Sequence, residues 1–260
     1  MNFSSFIAFF IFLFACQPAE AQDLSIYQKK WFTLSGDSMP YRLALPENYD
    51  PAKKYPLILF LHGSGERGND NEAQLAHAGK IFAASSFRHQ YQAIVLFPQC
   101  SENGYWSNVE RHEDAKALLE RYIFKNGGDP TRDMFLLMAL VKHIRQYLPV
   151  DPKRTYVGGL SMGGMGTFEL VSRMPGVFAK AFPICGGAEP GLANRLGGTS
   201  WFVYHGLKDD VVSHTFSKNM VKAMRKKNIK VKLTLFPDAN HNAWDPALAD
   251  TLLMPWLFGK

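Results

Sequence analysis

The chain has 260 residues, of which 47% are hydrophobic and 20% charged, and its formal net charge is +6. This length is typical of one large domain, and the composition excludes a disordered chain, a fibre and a multi-span membrane protein. Lysines and arginines are concentrated at 222–232, where the polar face of a helix followed by a strand accounts for them. We therefore expect no nucleic-acid partner.

The N-terminal residues predict export from the cytoplasm. Ile7–Ala15 is apolar but too short to span a bilayer, and Ala19-Glu20-Ala21 has the small-x-small pattern of a cleavage site. We expect a signal peptide over residues 1–21 and a single domain over 22–260, in a secreted or periplasmic protein with no membrane span. Lipid modification at Cys16 is the alternative, although the bulky Phe14 fits it poorly.

Two cysteines remain after this cleavage, Cys100 and Cys185. Each follows a strand-like apolar run, so both are expected at the same end of a parallel sheet. An exported protein can oxidise such a pair, but the sequence does not test the geometry that a disulfide needs. A disulfide and two separate buried thiols both remain open.

The order of apolar patterns predicts a mostly parallel sheet with helices on both faces. An opening hairpin is expected from Trp31–Leu34 and Tyr41–Leu45, which flank a Gly-Asp-Ser turn. Further strands are predicted at 57–61, 93–97, 155–158, 181–184, 201–204 and 231–236. Helical spacing is found at 113–124, 134–147, 162–173, 213–227 and 246–257. These eight strands alternate with helices, which is typical of an α/β fold, and its ligand crevice lies beyond the carboxyl ends of the strands.

Residues 159–163 read G-x-S-x-G between a predicted strand and a predicted helix. Small residues at Gly159 and Gly163 allow the sharp turn that lifts the hydroxyl of Ser161 above the sheet. The helix that follows points its N-terminus at this hydroxyl, which makes the N–H of Met162 available to a developing oxyanion. Ser161 is the predicted nucleophile.

A second glycine-rich loop, His62-Gly63-Ser64-Gly65, follows the strand predicted at 57–61. H-G-x-G after an early strand typically supplies the other oxyanion donor, for which we choose the N–H of Ser64. His62 is expected to brace the loop. Glu66 and Arg67 are expected to pair with each other, with contact between Arg67 and substrate as the alternative.

The base and the acid are expected after Ser161, in the order acid then histidine. His241 lies in a loop after the last predicted strand, where a neutral imidazole can accept the serine proton. Adjacent carboxylates at Asp209 and Asp210 both follow the strand at 201–204. We favour Asp209, which would orient His241 and stabilise the imidazolium, and expect Asp210 at a helix start or in solvent.

These motifs resemble one branch of the α/β-hydrolases. The matching segments are L-F-L-H-G-S-G-E-R-G-N-D-N, F-P-Q-C, D-P-K-R-T-Y-V-G-G-L-S-M-G-G, F-P-I-C-G-G, H-G-L-K-D-D-V-V and F-P-D-A-N-H-N-A-W-D. The branch is the bacterial carboxylesterase/phospholipase-like one, often labelled "predicted peptidase" and related to feruloyl and acetyl-xylan esterases. The resemblance runs from about Tyr41 to Trp244 and implies the same triad of Ser161, Asp209 and His241.

The sequence therefore predicts a secreted serine esterase that forms an acyl-enzyme and needs no metal or cofactor. Only a short connection separates the strand at 181–184 from the next, so we expect no large lid domain and an open cleft. An open cleft favours acyl groups on plant polysaccharides, with Trp244 and Trp106 as substrate-stacking residues or, alternatively, core residues. A serine peptidase of the same fold and a non-catalytic carbohydrate-binding protein are the alternatives.

Overall fold

The computed structural model describes residues 23–112 and 114–259. The predicted signal peptide, Cys16 and the predicted cleavage position lie outside these residues, so export remains a prediction. Within the described ranges, no helix is both long and apolar enough to cross a membrane.

The chain opens with the predicted β-hairpin, formed by β1 (Gln28–Leu34) and β2 (Asp37–Ala44). Its two-residue turn, Ser35 and Gly36, has positive φ values of 52° and 85°. Positive φ at both central positions gives the turn a twist that matches the right-handed twist of the strands it joins. The hairpin forms one edge of the main sheet.

Eight strands form the main sheet, as predicted. The six that follow the hairpin are β3 (Tyr55–Leu61), β4 (Ile94–Pro98), β7 (Val150–Leu160), β8 (Lys180–Ile184), β9 (Ser200–Gly206) and β10 (Val231–Phe236). The order across the sheet is β1-β2-β4-β3-β7-β8-β9-β10. These six strands are parallel to one another, and β2 is antiparallel to both of its neighbours. The carboxyl ends of the parallel strands therefore meet at one edge.

Helices cover both faces of this sheet. They are α1 (Gly79–Ala83), α2 (Ser85–Gln90), α3 (Arg132–Tyr147), α4 (Met162–Arg173), α5 (His214–Lys226), α6 (Trp244–Leu248) and α7 (Leu253–Phe258). Along β3, Leu59 packs in the cluster that includes side chains of α3, α4 and α5, whereas Phe60 packs with side chains of α1, α2 and α7. Both faces of the strand are buried, which explains its continuous apolar sequence.

The predicted helix at 113–124 is wrong. Among the described residues of this segment, Leu118–Glu120 form a 3-10 turn and Tyr122–Phe124 form strand β6, which pairs antiparallel with β5 (Val109–Arg111), just before the segment. Tyr122 and Phe124 both contact the ring of Phe216 on α5. These aromatic contacts are distant in the sequence, so helical spacing alone missed them.

The helix predicted at 246–257 is two short helices, α6 and α7. Between them, the carboxylate of Asp250 accepts hydrogen bonds from the N–H of Leu252, at 2.9 Å, and from the hydroxyl of Tyr204, at 2.9 Å. Aspartate side chains compete with the helical pattern when they bind nearby backbone N–H groups. The break therefore follows from the position of Asp250 beside β9.

The connection from β8 to β9 contains only a 3-10 helix at Pro190–Arg195, and no lid is inserted there. A longer excursion leaves the main sheet between β4 and α3, and it carries β5 and β6. Cys100 and Cys185 are buried free thiols, so the disulfide alternative is not formed.

Candidate active site

Ser161 lies on the predicted sharp turn between β7 and α4, with φ 53° and ψ −117°. A side chain at either Gly159 or Gly163 would collide with the carbonyl oxygen of Leu61 on the neighbouring strand. The N–H of Ser161 donates to the carbonyl of Ile184, at 2.9 Å. The close packing of β3, β7 and β8 holds this backbone in a region that residues other than glycine seldom occupy.

His241 lies in the loop after β10 and contacts both other members of the predicted triad. Its Nε2 lies 2.9 Å from the Oγ of Ser161, and its Nδ1 lies 2.8 Å from the Oδ2 of Asp209. The imidazole is 18% exposed, whereas the carboxylate of Asp209 is fully buried. The three side chains come from the carboxyl ends of β7, β9 and β10, where the fold places a ligand crevice.

Asp209 is held in its charged form by hydrogen bonds. Burial alone would raise the pKa of Asp209, but hydrogen bonds from His205, His241 and the N–H of Val212 hold it well below its usual range. Its Oδ1 accepts from the N–H groups of Val211 and Val212, at 3.0 and 2.8 Å. Asp210, by contrast, is exposed. The structure thus brings Asp209, and not its neighbour, to the imidazole.

A second histidine, His205, contacts the same carboxylate. Its Nε2 lies 2.9 Å from the carbonyl oxygen of Val212 and 3.1 Å from the Oδ2 of Asp209. Because both of these atoms are acceptors, Nε2 carries a proton. Its Nδ1 lies 2.8 Å from the hydroxyl of Ser217. No role in the site was predicted for His205 from the sequence, although the pattern H-G-x-x-D places it four residues before the acid.

His62 is buried at the end of β3 and braces the loop that follows, as its position predicts. Its Nε2 accepts from the N–H of Cys100 at 2.9 Å, so its Nδ1 donates to the carbonyl of Gly63, at 2.6 Å. Burial lowers the pKa of His62 to about 4, which keeps the ring neutral at pH 7. The ring is therefore a fixed part of the loop scaffold.

The loop after His62 lies against the nucleophile. A Cβ on Gly63 would be 3.7 Å from the Cβ of Ser161 and 2.8 Å from the side chain of Leu160. Ser64 begins a 3-10 turn (Ser64–Glu66), and Met162 is the first residue of α4. The first N–H groups of a helix have no acceptor within the helix, so the position of Met162 suits an oxyanion donor. Met162 directly follows Ser161, and Gly63, the neighbour of Ser64, lies beside the side chain of Ser161.

Glu66 and Arg67 have separate partners, so the expected pairing between them is wrong. Glu66 accepts from the N–H of Gly63 at 2.9 Å and lies 3.3 Å from the Nε2 of His77. The pKa of His77 is raised by this hydrogen bond with Glu66. The carboxylate therefore holds the backbone of the loop at Gly63.

The two predicted tryptophans have different environments. Trp244 is half-buried, and its ring centroid lies 5.5 Å from that of His241 and 5.0 Å from that of His77. Trp106 is fully buried, and its Nε1 donates to the carbonyl of His62 at 3.2 Å. The prediction that Trp106 stacks on substrate is wrong, because its indole is enclosed in the core and holds the end of β3.

One group of side chains within the described residues has the donor types of a metal site: Cys185, Asp209 and His241 place ligand atoms within 4.8 Å of one another. A thiol must lose its proton to bind a metal ion. Burial and the charge of Asp209 raise the pKa of Cys185 well above its usual value. Both ring nitrogens of His241 also lie at hydrogen-bond distance from Asp209 and Ser161, so this group fits a triad better than a metal centre.

The family model for esterases matches residues 33–193, more than half of the chain. The chain belongs to the Esterase family. The matched range contains Ser64, Ser161 and Met162 but ends before Asp209 and His241. The assignment of the last two residues therefore depends on the distances given above.

Curated relatives of this family member include two with named activities. The chain is 25% identical over 172 residues to "Probable feruloyl esterase C" of Aspergillus terreus. The aligned stretch covers 66% of the chain and 55% of that protein. The chain is 29% identical over 135 residues to poly(3-hydroxyalkanoate) depolymerase C of Paucimonas lemoignei, covering 51% of the chain and 28% of that protein. The chain spans about half the length, or less, of these relatives.

Solved structures of esterases share the fold. A thermostable esterase superposes with a TM-score of 0.79 at 29% identity, over 91% of this family member and 63% of that chain. The feruloyl esterase module from Clostridium thermocellum, complexed with sinapinate, superposes with a TM-score of 0.61 at 17% identity, over 89% of each chain. The second likeness is evidence for the α/β-hydrolase fold alone.

Proposed function

We propose that this member of the Esterase family is an exported serine esterase that hydrolyses carboxylic esters through an acyl-enzyme on Ser161. One observation carries the proposal. His241 lies 2.9 Å from the Oγ of Ser161 and 2.8 Å from the Oδ2 of Asp209. An imidazole placed between a hydroxyl and a buried carboxylate can accept the serine proton while its tautomer stays fixed.

In the first half of the reaction, the Oγ of Ser161 attacks the ester carbonyl and its proton passes to the Nε2 of His241. The N–H groups of Ser64 and Met162 donate to the oxyanion of the tetrahedral intermediate. The intermediate then collapses, the C–O bond to the alcohol breaks, and the alcohol leaves with the proton from His241. In the second half, water attacks the acyl-enzyme by the same route and regenerates Ser161.

Asp209 contributes by remaining ionised beside the imidazolium. Its carboxylate is buried and accepts two backbone N–H groups as well as the Nδ1–H of His241, so it changes little during the proton transfer. A preorganised negative charge of this kind stabilises the imidazolium without reorganising during the step. His205 holds the same carboxylate from the other side, as a positioning residue.

We further propose acyl groups on plant polysaccharides, feruloyl or acetyl, as substrates. Relatives named feruloyl esterase C and a bifunctional acetylxylan esterase/xylanase support this class. A cleft without an inserted lid between β8 and β9 also suits an ester attached to a polymer. Half-buried Trp244 lies beside His241, in a position to contact such a substrate.

The proposal of export rests on residues 1–21 of the sequence, with residues 22–260 as the mature domain. Intact-mass measurement of protein purified from a host with a secretory pathway tests it. A mature chain that begins at Gln22 supports the signal peptide. A lipid-modified Cys16 at the N-terminus would favour the membrane-anchored alternative, and a retained Met1 would contradict both.

The reaction is tested by measuring hydrolysis of p-nitrophenyl acetate, methyl ferulate and a peptide anilide by wild-type protein and Ser161→Ala. We expect ester turnover that disappears in the variant, and the ratio of acetate to ferulate rates then reports the size of the acyl pocket. Anilide cleavage without ester turnover would make the protein a peptidase. If the protein binds xylan oligosaccharides but turns over none of these substrates, the result would favour the non-catalytic carbohydrate-binding alternative.

A further inference from the structure

A pocket of about 250 Å³ opens beside the oxyanion loop, and its lining is rich in arginine. Its wall is formed partly by the loop after β3 and partly by the excursion that carries β5 and β6. The lining residues that bear on its chemistry are Ser64, Arg67, Tyr105, Arg111, Arg121 and Tyr122. Among the described residues that line it there are three guanidinium groups and no carboxylate.

Two of these arginines are fixed by neutral groups. The Nε and Nη1 of Arg67 donate to the carbonyls of Ser64 and Gly104, at 2.9 and 3.3 Å. The Nε and Nη1 of Arg121 donate to the carbonyls of Ala115 and Asp210, at 3.2 Å each. A carbonyl orients a guanidinium but does not cancel its charge. Both side chains are therefore held in place as full positive charges.

The third arginine, Arg111, lies opposite Tyr122 in the pairing of β5 with β6. Its guanidinium carbon lies 4.8 Å from the centroid of the ring of Tyr105. Burial raises the pKa of Tyr105, although the charges of Arg111 and Arg67 act in the opposite direction. Tyr105 thus forms a partly buried inner wall of the pocket, whereas Arg111 itself is exposed.

The position of the pocket links it to the reaction. Ser64, the proposed oxyanion donor, belongs to its lining, as does Val211, which lies two residues after Asp209. An ester bound with its carbonyl at Ser161 and long enough to pass Ser64 would reach this pocket with one of its ends, near Arg67 and Arg121. Guanidinium groups bind carboxylates strongly because their N–H donors match the two carboxylate oxygens.

We propose that this arginine pocket binds a carboxylate group of the substrate, so that the protein prefers esters that carry a negative charge near the scissile bond. The inference rests on the proposed esterase function and narrows its substrate class. The carboxylate can belong to the acyl part, as in a half-ester of a dicarboxylic acid. It can equally belong to the alcohol part, as in an esterified saccharide that contains a uronic acid.

Two matched pairs of substrates distinguish these sources. Mono-p-nitrophenyl adipate and p-nitrophenyl hexanoate differ by a carboxylate on the acyl side. Para-acetoxybenzoate and para-acetoxybenzamide differ by a carboxylate on the alcohol side. The ratio of kcat/KM within each pair is measured after subtracting the rate of Ser161→Ala. We expect the charged ester to be preferred in at least one pair, and to lose that preference as NaCl screens the charges.

Variants of the pocket test which side chains are responsible. Arg121→Gln should reduce the charged-to-neutral ratio about tenfold, since it removes a charge-assisted hydrogen bond from a half-buried site. Arg111→Gln should reduce it about threefold, because this side chain is exposed and more strongly screened. Arg121→Lys should restore most of the ratio. Arg225→Gln, on the exposed face of α5, removes the same charge at a distance and should leave the ratio unchanged.

The outcomes separate this inference from the proposed function. One outcome is that neutral esters are turned over as well as charged ones, and that Arg121→Gln does not change the charged-to-neutral ratio of kcat/KM. This outcome would overturn the arginine pocket and leave the proposed esterase function intact. If no ester is turned over, calorimetric titration of Ser161→Ala with para-acetoxybenzoate and para-acetoxybenzamide decides. If Ser161→Ala binds para-acetoxybenzoate more tightly than para-acetoxybenzamide, and Arg121→Gln added to that variant removes the difference, the pocket is supported. If Ser161→Ala binds the two compounds equally well, the pocket is overturned.

Discussion

The two walls of the cleft are built in different ways. On one side, Ser161, Asp209 and His241 follow strands of the central sheet, and backbone contacts with neighbouring strands fix their positions. On the other side, the excursion between β4 and α3 carries a small hairpin whose side chains line the arginine pocket. The difference suggests that the sheet sets the chemistry and that the excursion sets which esters are accepted.

The largest expected effect is a loss of activity on the side of the cleft that carries the triad, where two neighbouring carboxylates, Asp209 and Asp210, can be compared. Asp209→Asn should lower kcat for p-nitrophenyl acetate by about 10³–10⁴-fold, because an amide in place of the carboxylate favours the wrong tautomer of the histidine. Asp210→Asn is the matched control, since Asp210 is exposed, and should change kcat by no more than about twofold. Equal losses in the two variants would remove Asp209 from the triad.

The next effect concerns the backbone beneath that wall. Gly163→Ala should destabilise the fold by about 4 kcal/mol, because a Cβ there collides with the carbonyl of Leu61. Gly197→Ala has open space around the added methyl group and should change the stability by about 0.5 kcal/mol or less. Urea denaturation measures both. A stable Gly163→Ala protein would mean that β3 and α4 are packed less closely than the structure indicates.

The sequence was a good guide to this wall because each constraint leaves a short pattern in the residues that it acts on. G-x-S-x-G lies between a strand and a helix, and Gly159 and Gly163 are explained by one carbonyl on the adjacent strand. The continuous apolar pattern of 57–61 similarly follows from burial on both faces. The eight strands and α3, α4 and α5 were predicted for the same reason, that each pattern reports the burial of its own residues.

The other wall was missed because its constraints are not local. The segment 113–124 has helical spacing, but Tyr122 and Phe124 contact Phe216, which lies far along the chain. Helices α1 and α2 lie outside this wall, between β3 and β4, and were missed for another reason. They are five and six residues long, which is too short for a periodic pattern to be recognised. Trp106 was misassigned to the substrate because the sequence does not reveal that its Nε1 has a buried acceptor.

A third prediction tests the scaffold of the oxyanion loop through pH. Burial lowers the pKa of His62 from its ordinary value of 6.5 to about 4, so the unfolded chain takes up this proton first as the pH falls. The contribution of neutral His62 to the free energy of unfolding is therefore fully present above pH 6.5, and it is lost as the pH falls from 6.5 to 4. The loss should reach about 3 kcal/mol.

Urea denaturation at pH 7 and at pH 4.5 measures this loss. His62→Gln retains an acceptor for the N–H of Cys100 but does not titrate, so its stability should depend less on pH in this window. An identical pH dependence in the wild-type protein and in His62→Gln would show that His62 is not held neutral by burial.

The smallest expected effect is at the mouth of the cleft. Trp244→Ala should raise KM for methyl ferulate about threefold, with a smaller change for p-nitrophenyl acetate, because an aromatic acyl group loses a ring contact. Trp31→Ala, at an exposed position on β1, serves as the control and should leave both KM values unchanged. Equal changes in KM for the two esters would mean that Trp244 only supports the position of His241 and does not contact the acyl group.

The central claim, that Ser161 is the nucleophile, is tested most directly by covalent labelling. The wild-type protein is treated with a fluorophosphonate, digested, and mapped by mass spectrometry while esterase activity is followed in parallel. We predict one adduct, on the peptide that contains Ser161, formed at the rate at which activity is lost and absent from Ser161→Ala. An adduct on Ser64, or full loss of activity with Ser161 unmodified, would contradict the assignment.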